Sequence, residues 1–328
     1  MRIGLAVYGT VFSMGLHPAS RCPVIRPRHL MDQALAAGLQ GVELPVALLE
    51  GEGSVALARY AREHGLFITL ATGGYHPEKL AADIALAARL GAATVRTVVG
   101  GAKIGGDRRP LAGRWQPFLQ EVLTALREAT TVAELSGISL AVENHQDLAS
   151  EELLWLCESI GSPHFGITLD AGNPLATAEH PLDFFRSMAP HIKNVHLKDY
   201  WIYLSNEGYR LVRCPLGQGV IDFPALFTIL RDANKEVPMS IELGALEARH
   251  IRVLVDDYWS DYPSRSAAQL ARVLRFAQAN ARSSEEDWRT PFERGESAEA
   301  VVAYEQQQLA ESLAYIKPIQ QGERDEHC

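Results

Sequence analysis

The sequence predicts an α/β fold: a (β/α)8 TIM barrel carrying a C-terminal helical extension. Strand-like and helix-like segments alternate eight times between Ile3 and Ala279, the order that a parallel sheet with crossover helices requires. The length also fits, since such barrels typically take about 250 residues. An open, doubly wound sheet would place a glycine-rich phosphate turn after its first strand. The segment Tyr8-Gly-Thr-Val-Phe-Ser does not match that G-x-G-x-x-G pattern.

The run Met-Arg-Ile-Gly-Leu-Ala-Val-Tyr-Gly suits a first strand over Ile3–Tyr8 and is too short for the core of a signal peptide. A helical stretch at Arg28–Ala37 leads to a strand at Gly41–Pro45, and Ala56–Glu63 leads to Phe67–Ala71. Glu78–Leu90 is the next helix, followed by a strand over Thr94–Val99. The Gly/Arg-rich stretch Gly100–Arg109 then reads as a mobile lid. Helices at Phe118–Leu135, Glu151–Ile160 and Pro181–Met188 alternate with strands at Ile138–Glu143, Gly166–Asp170 and Asn194–Lys198. An unusually long interval follows, read as a hairpin over Tyr200–Val212 and a glycine turn over Pro215–Asp222 at the barrel mouth. The helix Phe223–Ala233, the strand Met239–Leu243 and the helix Ser266–Ala279 complete the barrel. The predicted domains are therefore 1–282, the barrel, and 283–328, the extension. The extension opens with a polar connector, Ser283–Asp287, and holds one helix over Ser297–Ile316, with Val302, Leu309, Leu313 and Ile316 on one stripe. That stripe predicts docking on the barrel or on another subunit; Gln320–Cys328 is expected to fray.

Composition limits the functional classes. The chain has 328 residues, 47% hydrophobic, ample for a large core. Its net charge of −9 repels phosphate backbones, so a nucleic-acid partner is not expected. The cysteines Cys22, Cys157, Cys214 and Cys328 form no C-x-x-C pair and read as reduced thiols of a cytoplasmic protein. No stretch approaches the roughly 20 apolar residues of a membrane span.

Four predicted strands end on a polar residue: Glu143, Asp170, His196 and Glu242. Side chains alternate along a strand, so parity assigns a face. Ile138, Leu140 and Val142 point to the helices, whereas Ser139, Ala141, Glu143 and His145 point to the barrel axis. The same split puts Asp170, His196, Lys198 and Glu242 on the inner parity. Three carboxylates crowded on an axis repel one another and lose hydration; a divalent cation removes that problem. This oxygen-rich set with one imidazole suits Mn²⁺ foremost, with Mg²⁺ or Co²⁺ as alternatives. The plainer alternative is four buried polar residues, each satisfied by hydrogen bonds.

The pieces Val142-Glu143-Asn144-His145, Leu169-Asp170-Ala171-Gly172-Asn173-Pro174, Val195-His196-Leu197-Lys198-Asp199, Gly217-Gln218-Gly219-Val220-Ile221-Asp222 and Ile241-Glu242-Leu243 together resemble the xylose isomerase-like TIM barrels. Within that family they are similar to sugar isomerases and epimerases of the D-tagatose 3-epimerase type. The likeness covers about residues 1–280. The resemblance implies one divalent ion held by Glu143, Asp170, His196 and Glu242, with the two glutamates exchanging protons with a keto sugar from opposite faces. The family's epimerases usually carry a histidine three residues after the aspartate, where this chain has Asn173. The related endonuclease IV type builds its metal cluster from many histidines, and Asn173 and the acidic charge argue against it.

A metal that chelates a carbonyl and the adjacent hydroxyl makes the α-proton acidic and holds the resulting enediolate. Returning the proton gives an epimer or an isomer, and losing a β-substituent gives a lyase. The expected activity is a divalent-metal-dependent sugar isomerase or epimerase acting on a small-molecule carbohydrate. The alternative is a lyase on a 3-keto sugar: a dehydratase, a decarboxylase or the catalytic subunit of a C-glycoside deglycosidase. A barrel that only binds sugars is a third reading. Glu143 and Glu242 are the expected catalytic groups; His145 is either a rival base or an orienter of Glu143. Lys198 either stabilises an oxyanion or neutralises Asp170 or Asp199. Asn173 either meets a substrate hydroxyl or caps the following helix. Arg213 contacts substrate or is a solvated loop charge, and Trp115 and Trp201 stack on a sugar or simply pack. Arg96 and Glu43 are expected to pair in the interior. Gly217-Gln218-Gly219 reads as a turn. The extension suggests a homo-oligomer, or a hetero-oligomer with a small partner subunit.

Overall fold

The computed structural model describes residues 1–325 except Asn234 and Ala245. Eight parallel strands close into a barrel: β1 (Arg2–Ala6), β2 (Gly41–Pro45), β3 (Phe67–Ala71), β4 (Thr94–Thr97), β5 (Ser139–Glu143), β6 (Phe165–Asp170), β7 (Ile192–Leu197) and β10 (Pro238–Ile241). Between β7 and β10 runs the hairpin β8 (Asp199–Ser205) and β9 (Gly208–Cys214). It is extended by β11 (Arg249–Ile251) into a three-stranded antiparallel sheet at the mouth. The hairpin was predicted; its third strand was not. The helices are α1 (Pro27–Ala36), α2 (Ser54–Glu63), α3 (Pro77–Leu90), α4 (Trp115–Ser136), α5 (Ser150–Ile160), α6 (Pro181–Met188), α7 (Phe223–Asp232), α8 (Ala267–Ala279) and α9 (Ala298–Asp325).

The alternation read from the sequence sorts the barrel as predicted. Ile3, Leu5, Val42, Leu44, Leu140, Val142, Ile167, Leu169, Val195 and Ile241 join the apolar layer between strands and helices. The opposite parity carries Glu43, Thr69, Arg96, Glu143, Thr168, Asp170, Asn194, His196 and Ser240, all buried. The barrel interior is thus polar toward its mouth.

Stagger between neighbouring strands sets the heights of the inner residues. Glu143 pairs in register with Thr168, so Asp170 stands two residues higher on β6. Asp170 is level with His196, and His196 with Ser240, so Glu242 again stands two residues higher. Closure of a tilted barrel requires this shear, and it stacks the four side chains up one side of the axis.

Two loops behave differently from a simple connector. The stretch 100–109, expected to be a mobile lid, is pinned: Gly100 donates to Asp147 at 3.1 Å and Gly105 to Gln146 at 3.0 Å. Arg108 is fully buried, bidentate on Glu152 at 2.9 and 2.6 Å, and packed between the rings of Trp115 and Tyr262. The glycine turn after β9 folds over Asp199, whose carboxylate accepts N–H groups from Tyr200, Gly217, Gly219 and Ile221. A Cβ on Gly219 would lie 2.2 Å from Asp199 Oδ1, so only glycine admits this approach.

The extension seats on its own chain. Glu305 of α9 is buried and accepts the backbone N–H groups of Phe12 and Ser13 at 3.1 and 2.7 Å. Ser312 accepts from Leu216 N–H at 3.0 Å, Gln308 donates to the Arg213 carbonyl at 3.3 Å, and Ile316 is buried. The helix runs beyond the predicted stop at Ile316, through Pro318 to Asp325, so the expected fraying from Gln320 holds for none of its residues up to Asp325. The apolar stripe ends at Ile316, which is why it gave no signal for the polar last turns. Residues 326–328, including Cys328, lie outside the described residues.

Candidate metal centre

Glu143, Asp170, His196 and Glu242 are all buried, and each offers a ligand atom within 4.8 Å of the others. Parity brings them to the axis and shear brings them together. His196 Nδ1 lies 2.8 Å from Glu242 Oε2 and 3.6 Å from Glu143 Oε2. Even so, Nδ1, both Glu143 oxygens and Glu242 Oε2 make no hydrogen bond of acceptable geometry. Buried polar atoms are rarely left so. Lone pairs clustered in this way, without well-aligned hydrogen bonds, fit a divalent cation, and a donor set with no thiolate favours a hard to borderline one.

Neighbouring residues hold these four in place. His196 Nε2 lies 2.8 Å from Glu43 Oε2, which also accepts from Asn194 Nδ2 at 3.2 Å. That contact directs Nε2 away from the cluster and leaves Nδ1 for a ligand. Arg96, stacked 5.1 Å from the ring centre of Tyr8, places Nε 2.9 Å from Glu143 and Nη2 3.4 Å from Glu43. The expected Arg96–Glu43 pair therefore exists, and Arg96 is shared with Glu143. Asn144 exchanges two hydrogen bonds with the Asp170 backbone, and Gly172 N–H donates to Asp170 Oδ1 at 3.1 Å. Lys198 bonds Asp170 and lies 3.1 Å from Glu242 Oε2. It thus neutralises Asp170 rather than Asp199.

Burial opposes charge throughout the cluster. Burial alone would raise the Glu143 pKa, but Arg96, His196 and His145 outweigh it and hold the carboxyl well below its ordinary value. Glu242 is likewise low, with Lys198 and His196 overcoming burial. For Asp170 burial wins over Lys198, and its pKa is raised. Burial would lower the His196 pKa, yet Glu43, Glu242 and Glu143 carry it well above normal. His145 is lowered by burial and by Lys198, against the pull of Glu143, and is neutral at pH 7.

A cavity of about 570 Å³ opens onto this centre, with Tyr8, Arg96, His145, Lys198, Arg213 and Glu242 among its lining residues. His145, Lys198 and Arg213 thus line this cavity. Asn173 is buried beneath Tyr200, its Oδ1 accepting from Tyr200 Oη at 3.2 Å and Gln146 Nε2 at 3.1 Å. It makes no capping bond to the short helix it begins. Trp115 is a correction: its ring is fully buried, donates to Glu152 at 2.6 Å and stacks on Arg108, leaving no face for a sugar. Trp201 stacks on Arg282 and donates to the Gln218 carbonyl.

Sequence reading missed the role of Glu43 as the residue that orients His196, although its inner parity on β2 was a usable signal. It also missed Arg249. That residue lines the cavity from β11, a strand of three residues.

Comparisons with known proteins agree with the geometry. The family model described as "Xylose isomerase-like TIM barrel" matches residues 31–276. The chain is 29% identical over 245 residues to YihM, an uncharacterized protein of Escherichia coli (strain K12), covering 70% of each chain. It is 26% identical over 193 residues to a 3-oxo-isoapionate decarboxylase of Pectobacterium atrosepticum, covering 57% of this chain and 64% of that one. Among solved structures it resembles the IolI protein with a bound zinc atom. The TM-score is 0.57 and the identity 15%, covering 85% of this chain and 96% of that one. At that identity the likeness supports the fold alone.

Proposed function

Because the chain belongs to the xylose isomerase-like TIM barrel family and its four candidate ligands converge on one point, we propose that it is a divalent-metal-dependent lyase acting on a keto sugar or sugar derivative. Glu143, Asp170, His196 and Glu242 would hold the ion, for which Mn²⁺ is the best fit to the donor set. When bound, the ion would polarise the substrate carbonyl and stabilise negative charge developing on its oxygen.

The observation that carries the lyase outcome is the Arg96–Glu143 ion pair at 2.9 Å, closed inside the barrel. Epimerisation needs a base on each face of the substrate, each able to take and return a proton. Glu143 is held by Arg96 and Glu242 by Lys198, and both carboxyls sit well below their ordinary pKa. Each is thus engaged by a cation rather than free to exchange protons. His145, its pKa lowered by burial, lines the cavity. A single acid–base group suits bond cleavage beside the carbonyl, with His145 taking a proton from solvent and passing it to the carbon left behind. Lys198, also at the cavity wall, lies beside Asp170 and Glu242 and fixes their orientation. The relative named as a decarboxylase supports the same outcome, since decarboxylation is a lyase reaction.

A second reading, isomerase or epimerase, is favoured by one feature: Glu143 and Glu242 both approach His196 Nδ1. Incubating Mn²⁺-loaded protein with keto sugars and keto sugar acids in D₂O separates the two. A product of lower mass than the substrate, deuterated once at the former α-carbon, is expected. A product of unchanged skeleton carrying α-deuterium would overturn the lyase reading and establish the second.

A further inference from the structure

The cavity wall opposite the carboxylates carries two guanidinium groups that the chemistry above does not use. Arg213 lies on β9 and Arg249 on β11. These strands pair antiparallel with Arg249 opposite Leu211. Leu211 and Arg213 share one face of β9, so the two arginines are diagonal neighbours on one face of the mouth sheet. Both line the same cavity as Glu242, His145 and Lys198. Arg249 is only 9% exposed, yet its Nε and Nη1 have no hydrogen-bond partner among the described residues; Arg213 Nε is also unpartnered. Arg213 Nη1 is spent on the Gly244 carbonyl. The nearest acid, Glu247, is half exposed and lies 3.9 Å from Arg249 Nη1, beyond hydrogen-bond reach. Burial and the charge of Arg213 together push the Arg249 pKa down to about 10, against the weaker pull of Tyr200, Glu247 and Glu242. Two guanidinium groups side by side in one cavity wall, with N–H groups left unpartnered, are an arrangement that recognises a planar or tetrahedral oxyanion.

We propose that Arg213 and Arg249 form an anion subsite, and that the substrate of this centre is a keto sugar bearing a carboxylate or phosphate away from its reacting carbonyl. The inference rests on the reading of the cavity as a carbohydrate site and adds the chemical class of its occupant. Arg249 and Arg213 take the anion through their guanidinium groups.

Matched ligand pairs test it by calorimetry on the Mn²⁺-loaded protein. 5-Keto-D-gluconate is L-sorbose with its far hydroxymethyl group oxidised to a carboxylate, so the pair differs only at the proposed contact. D-fructose 6-phosphate against D-fructose gives the phosphate arm. At least one anion is expected to bind about tenfold tighter than its neutral partner, the scale of one charge-assisted hydrogen bond. The pair that discriminates identifies the headgroup. Arg249→Gln should erase most of the preference and Arg249→Lys should restore part of it. Equal binding within both pairs, no measurable binding of either anion, or a preference unchanged in both Arg249→Gln and Arg213→Gln would overturn the subsite. The metal content of each sample, read by mass spectrometry, reports separately on the ligand cluster. Absence of any anion preference in the parent protein with full metal uptake refutes the subsite and leaves the lyase reading standing.

Discussion

Glu43 offers the sharpest test of the metal centre, because it touches the ligand histidine without being a ligand candidate itself. Its carboxylate is fully buried, lies 2.8 Å from His196 Nε2, and accepts from Asn194. Glu43→Gln keeps the shape and one acceptor but removes the charge. A hydrogen bond to a charged group contributes about 1.5–3 kcal/mol, against about 1 for a neutral one. The variant therefore loses about 1–2 kcal/mol of support for the imidazole as a ligand. That corresponds to roughly five- to thirtyfold weaker ion binding, within the range seen when such supporting carboxylates are changed elsewhere. Competition against a fluorescent chelator for Mn²⁺ measures it, with urea unfolding of the metal-free variant confirming an intact fold. A dissociation constant within about twofold of the parent, where roughly tenfold is expected, would refute the argument that Glu43 aims His196 at an ion.

Two further outcomes follow from the same energetics. Replacing Arg108 by Met should cost about 3–5 kcal/mol of unfolding free energy, because Glu152 is left buried without its bidentate partner; a loss under about 1 kcal/mol in urea titration would contradict the reading of an anchored loop. Burial pushes the Asp147 carboxyl up to about 7, above its unfolded value, so the folded state holds an extra proton and stability falls as pH rises through that value. Between pH 6 and pH 8 the loss from this group is about 1.4 kcal/mol. The pH 6 to pH 8 difference in unfolding free energy should shrink by that amount in Asp147→Asn, and an unchanged difference would show that Asp147 does not titrate there.

Much of this architecture was legible because period and parity are local properties. Alternation alone placed Glu143, Asp170, His196 and Glu242 inside the barrel, and their position at strand ends brought them to one height range. Arg96 and Glu43 were legible as an interior pair for the same reason. What parity cannot supply is the partner across the axis. The contact of Glu43 to His196 joins β2 and β7, which are not adjacent in the barrel order. Trp115 misled because an aromatic residue near a glycine-rich loop looks the same whether it stacks on a ligand or on a buried arginine such as Arg108. Arg249 had no local signal at all. Three residues of strand hold it in place only because the hairpin β8–β9 supplies an edge.

The helix α9 has a consequence for the order in which the molecule comes together. All eight barrel strands and α8 precede Ala281, so a nascent chain on the ribosome already contains a closable barrel when that point emerges. The ring around its entrance is another matter. Phe12 and Ser13 near the start of the chain, and Leu216 and Arg213 past its middle, are tethered by Glu305, Ser312 and Gln308, which are translated last. Synthesis would thus yield a barrel before its doorway is finished, so competence to hold a ligand would lag behind folding of the scaffold.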